Sequence, residues 1–243
     1  MKTTVEIFKD IVTTLNAIVY VDKITSLGSD TYSIDTKCTW WLTKLSEISI
    51  SGNLYTVTDF VFNTSITVKP IGHSIAPNAT QITVPNPIFL HGTIKMAQNE
   101  VDAVNDKDTI YPMVYLKEII RDIKNTDEES MIDRDSEVRL FLLMQVDDDW
   151  LTEDHYTYAI KPLSNMVKKT INNIKRNYLF TDEIIYNEIN LLNISLDGEQ
   201  NQSLFDMDLS GIELRISAQI RKDLSCTNKN SLFSYIKNRI ATW

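Results

Sequence analysis

An α+β fold, with a mostly antiparallel sheet flanked by helices, is what three stretches of this 243-residue chain predict. The first runs from Val138 to Arg176. It opens on an apolar run, Val138–Val146, that reads as a buried strand. An acidic corner follows, Asp147-Asp148-Asp149-Trp150, and then a stripe of Tyr156, Ala159, Ile160, Leu163, Met166, Val167, Thr170, Ile171 and Ile174. Offsets of three and four put that stripe on one face of a helix. The second stretch is a hairpin. Ile48 and Ile50 alternate with Ser49 and Ser51, Gly52-Asn53 supplies the turn, and Leu54–Thr58 returns. The third is Ile212–Ile220, where Ile212, Leu214, Ile216, Ala218 and Ile220 alternate with Glu213, Arg215, Ser217, Gln219 and the following Arg221. Strict alternation is the mark of an antiparallel strand with one covered face.

The remaining elements follow in order. A helix is expected over Thr4–Ala17, capped by Thr4, with Val5, Phe8, Ile11 or Val12, and Leu15 on one side. Ile18–Ile24 reads as a short strand, and Tyr32–Thr43 as an extended segment of high β propensity. Adjacent Trp40 and Trp41 would point to opposite faces of such a strand, one to the core and one toward a partner. Phe60–Lys69 continues as strand around a turn at Asn63. Residues 70–92 hold Gly72, Pro77, Pro85, Pro87 and Gly92 and form a long interaction loop, with Ile82-Thr83-Val84 as a short strand inside it. Ala97–Lys107 reads as a polar connection, Ile110–Leu116 as a strand, and Lys117–Asp135 as a solvated charged loop.

The corner before the long helix explains itself. Thr152 is a good N-cap, Glu153 and Asp154 suit the positive end of the helix dipole, and Lys168, Lys169, Lys175 and Arg176 suit the negative end. Pro162 is discordant and demands a bend or a delayed helix start. Glu183–Leu196 reads as strand, and Asp197-Gly198 opens a polar loop. Leu232, Phe233, Ile236 and Ile240 make a short amphipathic helix that must dock on something. Residues 1–220 therefore read as a single α+β domain, and residues 221–243 as a basic tail.

Composition narrows the function. No apolar run approaches the roughly 20 residues needed to span a bilayer. The opening Met1–Glu6 lacks the apolar core of a signal peptide, so a cytoplasmic site of synthesis is expected. Cys38 and Cys226 are expected as free thiols. A net charge of −9 argues against coating DNA. The charge is uneven, because Arg221, Lys222, Lys229, Lys237 and Arg239 against Asp223 give the tail +4 and leave −13 on the body.

No GxSxG, P-loop, GxGxxG or CxxC pattern occurs. His155 near Asp147, Asp148 and Asp149 could suggest a divalent metal site, but acids at a helix start need no metal. His91-Gly92-Thr93 has no Ser or Cys nucleophile in a recognisable elbow beside it. Trp40, Trp41, Trp150 and the tyrosines lack the interleaved basic residues of a nucleic-acid stacking surface. The reading is of a protein with no catalytic, cofactor-binding or metal-ligating residues. Its partner-binding candidates are Trp41, Pro85, Pro87, His91, Lys229, Phe233, Ile236, Lys237, Arg239 and Trp243.

Several segments carry a resemblance. Asp135–Leu143 (DSEVRLFLL), Trp150–Tyr156 (WLTEDHY) and Ala159–Leu163 (AIKPL) resemble a family of virion proteins of tailed phages infecting Bacteroidota, including crAss-like phages. The hairpin Ile48–Phe60, the run Pro87–Thr93 and the strand Gly211–Arg215 fit the same family in matching order. The resemblance implies a neck, tail-completion or head–tail connector component with a fold similar to tail terminators. It implies a homo-oligomeric ring of six or twelve copies below the portal, contacting the portal or adjacent neck and tail proteins. DNA would pass through its lumen without sequence-specific binding, with no membrane involved. An acidic lumen would let DNA slide by repelling its phosphates. Two alternatives stand beside it: a minor tail or tail-tube protein, and a small metal-dependent hydrolase using Asp147, Asp149 and His155.

Overall fold

Local chemistry sets where the first helix starts and stops. The computed structural model describes residues 2–103, 112–126, 132–147, 149–192 and 208–222. Helix α1 (Thr4–Thr13) is capped by Thr3 rather than Thr4. The Thr3 hydroxyl accepts from the Glu6 N–H, and the Thr3 N–H donates to the Glu6 carboxylate at 2.6 Å. This reciprocal box satisfies two otherwise unpaired donors. Thr4 is instead buried, with its hydroxyl 3.2 Å from Asp122 and 3.3 Å from Ser136. Asp122 also meets Arg134, so a polar knot ties α1 to the sheet beneath it.

The expected strand Ile18–Ile24 is two strands, β1 (Ala17–Tyr20) and β2 (Lys23–Gly28). Strand β3 (Thr31–Asp35) turns back on β2 through Ser29 and Asp30, both at positive φ. The extended reading of Tyr32–Thr43 stops at Asp35. Trp40 has φ +51°, which places a turn there and sends both indoles toward the core, 6.1 Å apart edge to face.

The hairpin is present as β4 (Glu47–Ile50) and β5 (Asn53–Val61). Its turn lies one residue earlier than expected. Ser51 and Gly52 are the two residues at positive φ, as a two-residue hairpin of the I′ kind requires, and Asn53 pairs with Ile50. Asn63, also at positive φ, leads into β6 (Ser65–Pro70). These strands form an antiparallel sheet of order β2-β3-β6-β5-β4.

Within residues 70–92, β7 (Gln81–Val84) pairs with β1, and β8 (Ile88–His91) forms a sheet edge. Pro85 and Pro87 separate them, consistent with proline's exclusion from central strands. The expected polar connection is in part a helix, α2 (Ile94–Asp102), capped by the Thr93 hydroxyl. Two small apolar contacts, Ala97 and Val101, suffice to seat it.

The charged segment expected as a loop is mostly strand. Strand β9 (Met113–Lys124) and β10 (Ile132–Gln145) are paired over nearly their full length, with register shifts at Glu137/Val138 and Arg139/Leu140. Charge misleads here because the sheet leaves one face open, and alternate positions are then free to be ionic. Strand β11 (Phe180–Leu191) and β12 (Leu209–Arg221) complete a second sheet of order β11-β12-β10-β9-β8, antiparallel except for β8 with β9. The register Leu140↔Leu214 and Leu142↔Ile212 brings the apolar alternations of β10 and β12 onto one face.

Between β10 and β11 the chain makes a helical turn α3 (Thr152–Asp154), a π-helical turn His155–Ile160, and α4 (Lys161–Arg176). Leu151 occupies the cap position, and its N–H donates to the Asp154 carboxylate at 3.0 Å, so the expected Thr152 cap shifts by one. The wide turn resolves the discordant proline. Pro162 falls in the first turn of α4, directly after the π segment, where its missing N–H costs least. The phase change turns Tyr156 outward, 40% exposed, although the stripe assigned it to the core.

Both sheets, α1 and α4 share one apolar core that includes Phe8, Trp41, Tyr55, Leu140, Leu163 and Ile212. A smaller cluster of Leu90, Met113, Tyr115, Phe141, Leu143 and Leu209 lies on the other face of the second sheet, under α2. The fold is α+β with mostly antiparallel sheets, as expected. No helix among the described residues is long and apolar enough to cross a membrane.

Candidate functional site

The corner between β10 and α4 builds a cleft walled by aromatic rings. Asp147 accepts from the Trp150 indole N–H at 3.0 Å and fixes that ring. The π-helical turn carries Tyr158 to face it, 5.4 Å between centroids, and β5 adds Phe60, edge to face with Tyr158 at 5.7 Å. Three aromatic rings therefore wall a cleft of about 290 Å³ whose rim holds Thr43, Lys44, Ser46, Thr58, Gln145 and Asp147. The Lys44 ammonium lies 5.0 Å above the Tyr158 ring and 3.7 Å from Asp59. A cation over an aromatic face is attracted by the ring quadrupole. The cleft thus already holds a positive charge against one of its walls.

Sequence patterning pointed to this corner but not to its partners. Trp150 and Asp147 were legible. Tyr158 was not, because it falls off the regular helical stripe, and Phe60 and Lys44 come from distant segments. A proline four residues after an off-phase tyrosine, Pro162 after Tyr158, was the available signal.

His155 is buried behind Trp150, ring to ring at 5.7 Å, and its Nδ1 lies 2.8 Å from the buried Ser210 hydroxyl. Its hydrogen bond goes to Ser210, while Asp147 accepts from Trp150. Among the described residues no three His, Cys, Asp or Glu side chains converge as metal ligands would. The Ser210 hydroxyl is fully enclosed.

The named partner-binding candidates separate. Trp41 is 1% exposed, and its indole N–H donates to the Pro85 carbonyl at 2.8 Å. That corrects its reading as a partner-facing ring: a turn at Trp40 replaces the strand that would have exposed one indole. Pro87 is buried as well, whereas Pro85 and His91 are exposed. The segment 70–92 is fastened along its length. The Tyr55 hydroxyl donates to the Ile75 carbonyl, the Ser51 hydroxyl to Asn78, and the Asn86 amide to Thr13. Lys229, Phe233, Ile236, Lys237, Arg239 and Trp243 lie outside the described residues, as do the loop expected at Asp197 and the tail helix.

The open face of the second sheet carries an ionic cluster. Arg139 and Arg215 both donate through Nε to one oxygen of Glu213, at 2.7 and 2.6 Å. Burial pushes the Glu213 carboxyl up, but the two guanidinium groups outweigh it and hold it below the usual carboxylate range. Arg139 also lies 5.5 Å over the Phe141 ring, so the cluster borders the smaller apolar cluster. Beyond it, β11 forms the outer edge of the sheet, with Ile185 74% and Tyr186 41% exposed.

No protein-family model, curated protein or solved structure matches the chain.

Proposed function

We propose that this chain is a structural subunit of a tailed-phage virion that assembles with copies of itself into a ring in the neck. The ring joins the head at the portal to the tail and lets DNA pass through its lumen. The reading rests on the resemblance of the Asp135–Leu143, Trp150–Tyr156 and Pro87–Thr93 segments to such proteins, and on one structural observation. Strand β11 is a sheet edge of 12 residues, with no proline or lysine along it. Isolated subunits usually blunt such edges by length, lysine or proline. Here Ile185 stands 74% exposed on it, between Glu183 and Glu188. Two like-charged edges of this kind repel when laid against each other. The edge therefore favours a different strand of the neighbouring copy, and such a heterologous contact closes into a ring when its rotation closes. The acidic balance of the body suits a lumen that does not grip DNA.

Ile185→Lys tests the edge. The exposed position makes the change nearly neutral for folding, within about 0.5 kcal/mol. Sedimentation velocity should show loss of the oligomer with an unchanged melting temperature. An intact oligomer in this variant would remove β11 from the interface.

A further inference from the structure

We infer that the aromatic cleft at the Trp150 corner is the receptor for the basic segment 223–243 of a second copy, which lays a lysine or arginine side chain against the wall formed by Trp150 and Tyr158. The inference rests on the ring reading above and names a second contact, beside the β11 edge, that joins one copy to the next.

The chemistry of the cleft selects a cation. Trp150, Tyr158 and Phe60 present aromatic surface, and Asp147 stands at its rim. The Lys44 ammonium already lies over the Tyr158 ring, which shows that this wall accepts a positive charge. Lys44 is tethered to Asp59 at 3.7 Å with both side chains about half exposed, a weak pair that an incoming guanidinium displaces readily. Arginine stacks on aromatic faces and is less hydrated than lysine, so it is the better occupant.

Charge and position select the occupant. Residues 223–243 carry +2, from Lys229, Lys237 and Arg239 against Asp223, on a chain whose remainder carries −11. Lys237 and Arg239 sit among Phe233, Ile236 and Trp243, the mix of cation and apolar surface that an aromatic cleft with an acidic rim complements. Strand β12 begins beside the cleft, where Leu209 pairs with Gln145, and ends at the far side, where Arg221 pairs with Ile132. Thirteen residues of strand separate the two ends, about 40 Å at ~3.3 Å per residue. The segment thus leaves each copy at the end of the sheet opposite its own cleft. Copies arranged head to tail bring that end to the cleft of the next, the heterologous geometry that a ring needs.

The test uses the full chain with Cys38→Ser and Cys226→Ser, carrying Gln145→Cys at the cleft rim and Asn238→Cys between Lys237 and Arg239. Mild oxidation followed by mass analysis without reductant reads the pairing. Disulfide-linked multimers are expected. An internally bridged monomer would overturn the second-copy assignment, and the absence of either bridge would overturn the docking itself. A charge swap gives an independent reading by native mass spectrometry. Lys237→Glu with Arg239→Glu should reduce the oligomer at least tenfold while leaving the melting temperature unchanged, whereas Lys237→Arg, which keeps the cation, should leave it intact. An oligomer unaffected by the tail reversal would sink this inference and leave the ring reading standing. A wild-type chain that is monomeric at every concentration would remove both.

Discussion

At Glu213 two arginines share one carboxylate oxygen on the otherwise open face of a sheet. The carboxyl is held below its ordinary value of 4.5, so its contribution to stability is present above that value and is lost as pH falls through the folded one. Glu213→Gln should cost about 1–2 kcal/mol at neutral pH, less than the roughly 3–5 kcal/mol of a fully buried pair, because both arginines keep access to water. Denaturant titrations from neutral pH down past 4.5 should show the variant losing less stability on acidification than the wild type. A parallel loss in both would mean that other carboxylates carry the acid response. Single residues were legible unevenly. The alternation at Ile212–Ile220 identified Glu213 and Arg215 as outward-facing, but Arg139 sits in what reads as an unbroken apolar run, and pairing across strands is not written in either segment alone. Trp41 failed for a local reason, since a positive φ at a tryptophan has no sequence signature.

Among the elements, the strands whose side chains alternate and the helix with a regular stripe were legible because one face alone is covered. The parts of β9 and β10 that fall in Lys117–Asp135 were not, since their outward positions are charged and the pairing shifts register twice. Helix α2 escaped because Ala97 and Val101 are too slight a stripe to stand above polar surroundings. The β10–β12 pair makes its own prediction. Gly211 lies where a Cβ would stand 2.3 Å from the Leu142 carbonyl oxygen and 2.7 Å from Leu143 Cδ2. Neither backbone can yield without breaking the central pairing, so Gly211→Ala should destabilise by about 3 kcal/mol or more. Thermal unfolding checks it, and a melting temperature equal to wild type would show that the two strands are less tightly apposed. Its place between the β10 backbone and the smaller apolar cluster is a fold requirement that the resemblance alone would not have distinguished from a functional glycine.

For the whole molecule, the α+β class and antiparallel pairing were readable from periodicity, while the division into two five-stranded sheets and the two-stranded β1–β7 pair around a shared core was not. Sheet order depends on contacts between residues far apart in sequence, such as Tyr20 with Gln81 and Phe180 with Ile220. The candidate site was half legible in the same way. Its corner is continuous in sequence, and its far wall, Phe60 and Lys44, arrives by folding. Segment 70–92 illustrates the reverse, a stretch that looks like a free loop by composition and is strapped to the body by its own hydrogen bonds. In the proposed ring, the exposed β11 edge, the acidic body and the aromatic cleft would each be completed by another copy.

Native mass spectrometry of the full-length chain across a wide concentration range, with electron microscopy of any large species, tests that most directly. The account predicts one closed species of fixed copy number, ring-shaped in projection with an open centre. A strict monomer at every concentration would contradict it.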